Sequence, residues 1–160
     1  GFAQTVLDAL EDTGLPPEML ELELTESTAM RDPERVIAQI APLREIGVTF
    51  AIDDFGTGHS SLSYLTRMPF DVFKIDQSFV RDMSKDEHAR VVVETILAMA
   101  SSLKLKTVAE GVETAEQYVA LRDLGATLAQ GYLFGRPMPF EELESFARAD
   151  AGAKVSAAAG

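Results

Sequence analysis

Five short apolar runs in this chain each end in a polar side chain, and each gives way to a helical pattern. The runs are Leu20-Glu21-Leu22-Glu23-Leu24-Thr25-Glu26, Phe50-Ala51-Ile52-Asp53-Asp54, Val72-Phe73-Lys74-Ile75-Asp76, Thr107-Val108-Ala109-Glu110-Gly111 and Leu128-Ala129-Gln130-Gly131-Tyr132. Strands that alternate with helices form parallel sheets through right-handed crossovers. Parallel strands send their C-terminal ends to one rim, and polar residues on that rim belong to a site. Acidic side chains gathered there repel one another unless cations lie between them. The pattern therefore predicts a divalent-metal site.

Chain length and composition narrow the classes further. The 160 residues suffice for one domain, and 46% hydrophobic content supplies a core. A formal charge of −12 disfavours DNA, RNA and anionic lipid, which need clustered Lys and Arg. A phosphate-bearing ligand remains compatible if metals supply the positive charge. Cysteine is absent, which fits a reducing compartment. No apolar run approaches the roughly 18 residues of a membrane span, and no signal peptide stands out.

The helical segments carry their own punctuation. Val6, Leu7 and Leu10 are helically spaced, and Gly14 ends that helix before Pro16 and Pro17. Asp32-Pro33 reads as an N-cap and first turn. Ile37, Ile40 and Ile46 follow, with a kink expected at Pro42. Val92, Ile96, Met99 and Leu103 stripe a long helix as core or a dimer face. Thr114 and Gln117 form a capping box. Asp82 to Arg90 reads as a solvated stretch, and Phe140 begins a last helix. Five β/α units are thus expected, whereas a complete eight-stranded barrel takes about 250 residues. The pattern also describes a small open α/β sheet, although no Gly-x-Gly-x-x-Gly turn of the usual dinucleotide-binding version follows the first strand. A chain that starts at Gly1 inside a helix is expected to be a piece of a longer protein, and Ala149 to Gly160 to be a frayed tail.

Five motifs resemble, in order, those of the EAL domain family. They are Glu23-Leu24-Thr25-Glu26-Ser27, Asp53-Asp54-Phe55-Gly56-Thr57-Gly58, Lys74-Ile75-Asp76, Ala109-Glu110-Gly111-Val112-Glu113 and Gln130-Gly131-Tyr132. The resemblance implies an incomplete TIM-like (β/α) barrel, with residues 1–146 as the C-terminal portion of the domain and 147–160 as a flexible tail. It implies metal-dependent hydrolysis of cyclic di-GMP to linear pGpG in bacterial signalling. By the resemblance, Glu23, Asp53 and Glu110 are metal-ligating carboxylates, and Asp54 helps hold a second Mg²⁺ or Mn²⁺. Lys74 stands beside the attacking water, Glu110 is shared between metal and catalysis, and Gln130 contacts the water and substrate. Glu26 anchors the glycine-rich loop that contains Gly56, Thr57 and Gly58, and Glu113 lines the site. The same resemblance implies a homodimer, an upstream sensor or GGDEF domain, and a bacterial cytoplasmic location with the parent soluble or tethered to the inner membrane. The family's Glu-Ala-Leu motif and its following asparagine ligand occur nowhere in the chain, so the fragment alone is expected to be inactive.

The chemistry suits these residue types. Two hard cations about 3.5–4 Å apart clamp the attacking and leaving oxygens of a phosphodiester. Mg²⁺ and Mn²⁺ favour carboxylate oxygens. Zinc fits poorly, with no Cys and with His59 and His88 away from strand ends. Lys74 among acids keeps its charge and orients the water or stabilises developing negative charge. Taken singly, Asp53-Asp54 reads equally as a turn and Lys74 as an ordinary ion pair with Asp76. Two other functions stay open: a non-catalytic cyclic-di-GMP receptor or protein-interaction module of the same family, and an unrelated Mg²⁺-dependent barrel enzyme.

Overall fold

The computed structural model describes residues 1–56 and 62–148. Helix α1 (Phe2–Thr13) precedes strand β1 (Glu21–Thr25), and helices α2 (Glu26–Arg31) and α3 (Pro33–Glu45) lead to β2 (Thr49–Phe55). Then come α4 (Leu62–Leu65), β3 (Val72–Ile75), α5 (Gln77–Asp82), α6 (Glu87–Leu103), β4 (Lys106–Ala109), α7 (Ala115–Asp123) and β5 (Leu128–Ala129). A last helix, α8, runs over residues 140–148. Among the described residues no helix is long and apolar enough to cross a membrane.

The helix boundaries follow local chemistry. Gly14 takes the left-handed conformation at the end of α1, and its N–H donates to the Leu10 carbonyl. The Asp32 side chain accepts from the Arg35 N–H, with Pro33 in the first turn of α3. That helix continues across Pro42 to Glu45. The Thr114–Gln117 capping box is present in full at the start of α7. Asp86, inside the stretch expected to be solvated, caps α6 by accepting from the His88 N–H.

All five strands are parallel and lie in the order β1-β2-β3-β4-β5. That order decides between the two architectures left open by the sequence. A doubly wound sheet reverses its strand order at a switch point. Right-handed crossovers that always step the same way put every helix on one face, as in a barrel. Burial agrees. Phe50, Ile52, Phe73, Ile75 and Ala109 alternate onto one face and are fully buried. Ile40 and Leu43 of α3, Val93 and Ile96 of α6 and Leu121 of α7 join them in one core cluster. Each such large side chain contributes about 1.5–3 kcal/mol by leaving water. The α6 stripe is core: Ile96 is buried, and Val92, Met99 and Leu103 pack against the cluster.

A backbone crossing joins the last two strand ends. Gln130 O accepts from Val112 N–H, and Val112 O accepts from Leu133 N–H, each at 3.0 Å. Residues 130–133 therefore wrap the Val112 peptide. A Cβ on Gly131 would lie 2.2 Å from Val112 O and 2.3 Å from Val112 N. Only glycine fits there. Gly131→Ala is expected to cost about 2 kcal/mol or more, in the range of backbone-clash substitutions. Urea unfolding of the two proteins checks it, and an unchanged midpoint would contradict this packing.

Candidate metal and phosphoryl site

Strand register alone gathers the candidate residues. Glu23 pairs with Ala51, Ala51 with Val72, Lys74 with Val108, and Val108 with Leu128. Side chains alternate along a strand, so residues two apart share a face. Glu23, Asp53, Lys74, Glu110 and Gln130 thus all fall on the face opposite the helices. Near its C-terminal end β2 carries one extra residue against β3, because Ile52 pairs with Phe73 but Phe55 with Ile75. Asp53 and Asp54 together oppose Lys74. This β-bulge lets two consecutive acids serve one rim, a use of bulges common beside active sites. Asp54 holds a positive φ of 54°, which Asp tolerates better than most residues.

Three carboxylates close on one ammonium. Lys74 Nζ lies 2.7 Å from Glu23 Oε2, 2.8 Å from Glu110 Oε1 and 3.1 Å from Asp53 Oδ1. Lys74 is only 6% exposed. Burial by itself disfavours its charge, but the carboxylates of Glu110, Glu23 and Asp53 together outweigh that and hold it charged well above the ordinary lysine range. Glu110 is pushed above the usual carboxylate range, first by burial and then by Asp53 and Glu23, with Lys74 opposing. Asp54 is raised too, by burial and by the neighbouring Asp53 and Asp76. Asp76 caps α5, accepting from the Ser78 N–H at 2.9 Å and from the Ser78 hydroxyl. Lys74 therefore pairs across the sheet, not with Asp76. The pairing of Asp76 with Asp54 escaped sequence reading, although the Lys74-Ile75-Asp76 motif was its signal.

The donor set fits hard divalent cations. Every ligand candidate is a carboxylate. Asp53 Oδ1 is buried without a well-aligned hydrogen-bond donor, so it retains capacity for a ligand. Among the described residues no group of three or more Asp, Glu, His or Cys side chains is arranged so that it could hold a metal ion. Glu23, Asp53 and Glu110 each set one oxygen against the Lys74 ammonium instead.

The remaining candidates are placed as follows. Glu26 is 3% exposed, and its Oε2 accepts from the Gly56 N–H at 3.0 Å. Gly56 has a φ of 99°, and a Cβ there would press on Ile96 and Phe79 at 3.1 Å. Thr57, Gly58 and His59 lie outside the described residues. Gln130 sits on the rim, exposed, its N–H donating to Ala109 O. Glu113 makes no ion pair with Lys74 among those of the described residues. It is exposed and lines a groove of about 810 Å³ with Arg81, Lys85, Arg90 and α7. Its N–H donates to Gln117 Oε1 at 2.8 Å. His88 lies in α6, far from any strand end.

Comparison with known proteins fits this geometry. Residues 1–137 match the family model described as the EAL domain. The chain is 49% identical over 144 residues to the cyclic di-GMP phosphodiesterase NbdA of Pseudomonas aeruginosa, covering 90% of this chain and 18% of that protein. It is 46% identical over 143 residues to the bifunctional diguanylate cyclase/cyclic di-GMP phosphodiesterase MucR of the same organism, covering 89% of this chain and 21% of that one. It superposes on the solved MucR phosphodiesterase in complex with c-di-GMP with a TM-score of 0.87 and 46% identity, spanning 89% of this chain and 58% of that one. The manganese and cyclic-di-GMP complex of Klebsiella pneumoniae BlrP1 gives a TM-score of 0.77 at 36% identity, over 84% of this chain and 34% of that one. The chain thus spans about a fifth of the curated relatives it matches and a little over half of the MucR structure. The sheet is accordingly the five-stranded part of a TIM-like barrel.

Replacing Glu26 with Ala should remove the carboxylate partner of the Gly56 N–H. The expected loss is about 1 kcal/mol, the net worth of one hydrogen bond whose donor water can reach. A urea midpoint unmoved by Glu26→Ala would contradict the anchoring. By the five ordered motifs, the parallel fold and these matches, the chain belongs to the EAL domain family.

Proposed function

We propose that this chain forms part of a metal-dependent phosphodiesterase that hydrolyses cyclic di-GMP to linear pGpG. The observation that carries the reading is the convergence of Glu23, Asp53 and Glu110 on Lys74 within 3.1 Å, with Asp54 beside them on the bulge. The relatives support it through their names: NbdA is called a cyclic di-GMP phosphodiesterase, and MucR and BlrP1 were solved with the dinucleotide. Glu23, Asp53, Asp54 and Glu110 would hold Mg²⁺ or Mn²⁺. Bound there, the cations would acidify a water and offset the charge of the phosphodiester.

The chain's own groups divide the remaining work. Lys74 supplies a fixed positive charge where negative charge grows on the phosphoryl oxygens. The buried β3 backbone holds it in place, since Val72 to Ile75 are all buried. Gln130 on the neighbouring rim is exposed and free to meet the substrate. Glu26 fixes Gly56 and with it the exit of the Asp53-Asp54 bulge. Homodimerisation and an upstream GGDEF or sensor domain belong to the same proposal. So does inactivity of the chain by itself, because the family's Glu-Ala-Leu glutamate and asparagine ligands are not in this sequence.

The test is cyclic di-GMP turnover with Mg²⁺ or Mn²⁺, by this chain and by a version extended at its N-terminus with the missing strands. Turnover to pGpG only in the longer protein is the expected result. Lys74→Ala in that protein should lower kcat roughly a hundredfold, the scale of losing one preorganised charge stabiliser. Metal-independent binding without turnover in both versions would make the protein a receptor and overturn the enzymatic reading.

A further inference from the structure

An ammonium has three protons and no lone pair. Around Lys74 Nζ three carboxylate oxygens already crowd within 3.1 Å, from three different strands or strand ends. Only the contact with Glu23 is a well-aligned hydrogen bond, but the oxygens of Asp53 and Glu110 crowd the ammonium on its other sides and leave little room there for a water or a phosphoryl oxygen. Its role in the reaction proposed above, on which this inference rests, requires that at least one carboxylate let go.

A divalent cation provides the competing claim. It seeks the same oxygens, carries twice the charge and accepts the same hard donors. The three contacts are unequal. Glu23 Oε2 receives a well-aligned hydrogen bond at 2.7 Å, whereas Asp53 Oδ1 lies farthest, at 3.1 Å, and is buried with no well-aligned donor. Asp53 Oδ1 is therefore the oxygen held most weakly by the lysine and the first available to a cation. Formal charge points the same way. The carboxylates of Glu23, Asp53, Asp54 and Glu110 with one ammonium leave three formal negative charges, an excess that a divalent cation offsets.

We propose that Lys74 is held by the carboxylates in competition with divalent cations, and that cation binding releases a Lys74 N–H toward the reaction. Lysine and metal thus act as alternating occupants of one set of oxygens, and metal loading arms the lysine. Lys74 is a positioning group for the carboxylates before loading and a catalytic one after it.

Titration calorimetry with MnCl₂ alone tests the exchange. Lys74→Met removes the competitor, so the Mn²⁺ dissociation constant should fall roughly tenfold, a modest fraction of the Coulomb energy between unit charges at this separation. An equal or weaker affinity in a variant that keeps its circular dichroism would overturn the proposal. Should Lys74→Met fail to fold, the unaltered chain carries the test. Reductive methylation of Lys74, read by mass spectrometry, should rise when Mn²⁺ is added, because an amine released by its carboxylates is open to the reagent. Labelling indifferent to bound Mn²⁺ would overturn the exchange. Absence of Mn²⁺ binding in both proteins would overturn it together with the metal site. Exchange without cyclic di-GMP turnover in the longer protein would overturn the reaction and leave the exchange standing.

Discussion

The buried ammonium of Lys74 is the constraint on which the site depends. Taking a charge out of water is costly unless partners replace the lost hydration. Here the partners come from β1, β2 and the end of β4, so the lysine can be buried only if those elements are in register. Conversely, three carboxylates on one face repel unless something positive stands among them. Fold and site are therefore mutually dependent. The sheet brings the charges together, and the lysine makes their proximity tolerable.

The division of faces follows from the strand order. Helices cover one face and bury Phe50, Phe73 and Ile75, leaving the other to Glu23, Lys74 and Gln130. The Phe55–Phe73 stack, with ring centroids 4.5 Å apart, pins the strand just beyond the bulge. Asp54 can take its left-handed conformation because both sides of it are fixed, by Ile52 within the core and by Gly56 on Glu26. The outer strands β1 and β5 each have one pairing neighbour. Large apolar side chains stand exposed beside β5, including Leu128, Phe134 and Phe146. Such edges and surfaces invite pairing or cover, consistent with a partial barrel.

Much of this was legible in the residues. The alternation of Leu20, Leu22 and Leu24 marked β1, and the caps at Gly14, Asp32 and Thr114 fixed helix ends, because these are local signals. The strand-end polar residues were legible for the same reason, since a fixed period of two assigns faces. The unread features depend on which strand lies beside which. The bulge at Asp53-Asp54, the sharing of Lys74 among three acids and the Asp54–Asp76 pairing arise only once register is set. The Val112–Gly131 crossing is likewise a contact between distant segments. Glu113, three residues after Glu110, lines a groove with Arg81, Lys85 and Arg90 at the start of α7. The strand order, not the alternation, separated a barrel from an open doubly wound sheet.

The site stands or falls on whether divalent cations enter at the shared carboxylates of this one sheet face. Paramagnetic broadening of amide resonances by substoichiometric Mn²⁺ tests it most directly. Selective loss of signals from Glu23, Asp53, Asp54, Lys74 and Glu110 and their neighbours is expected, with Asp71, Lys85 and Asp123 unaffected. Broadening spread evenly over the acidic surface, or centred elsewhere, would contradict it.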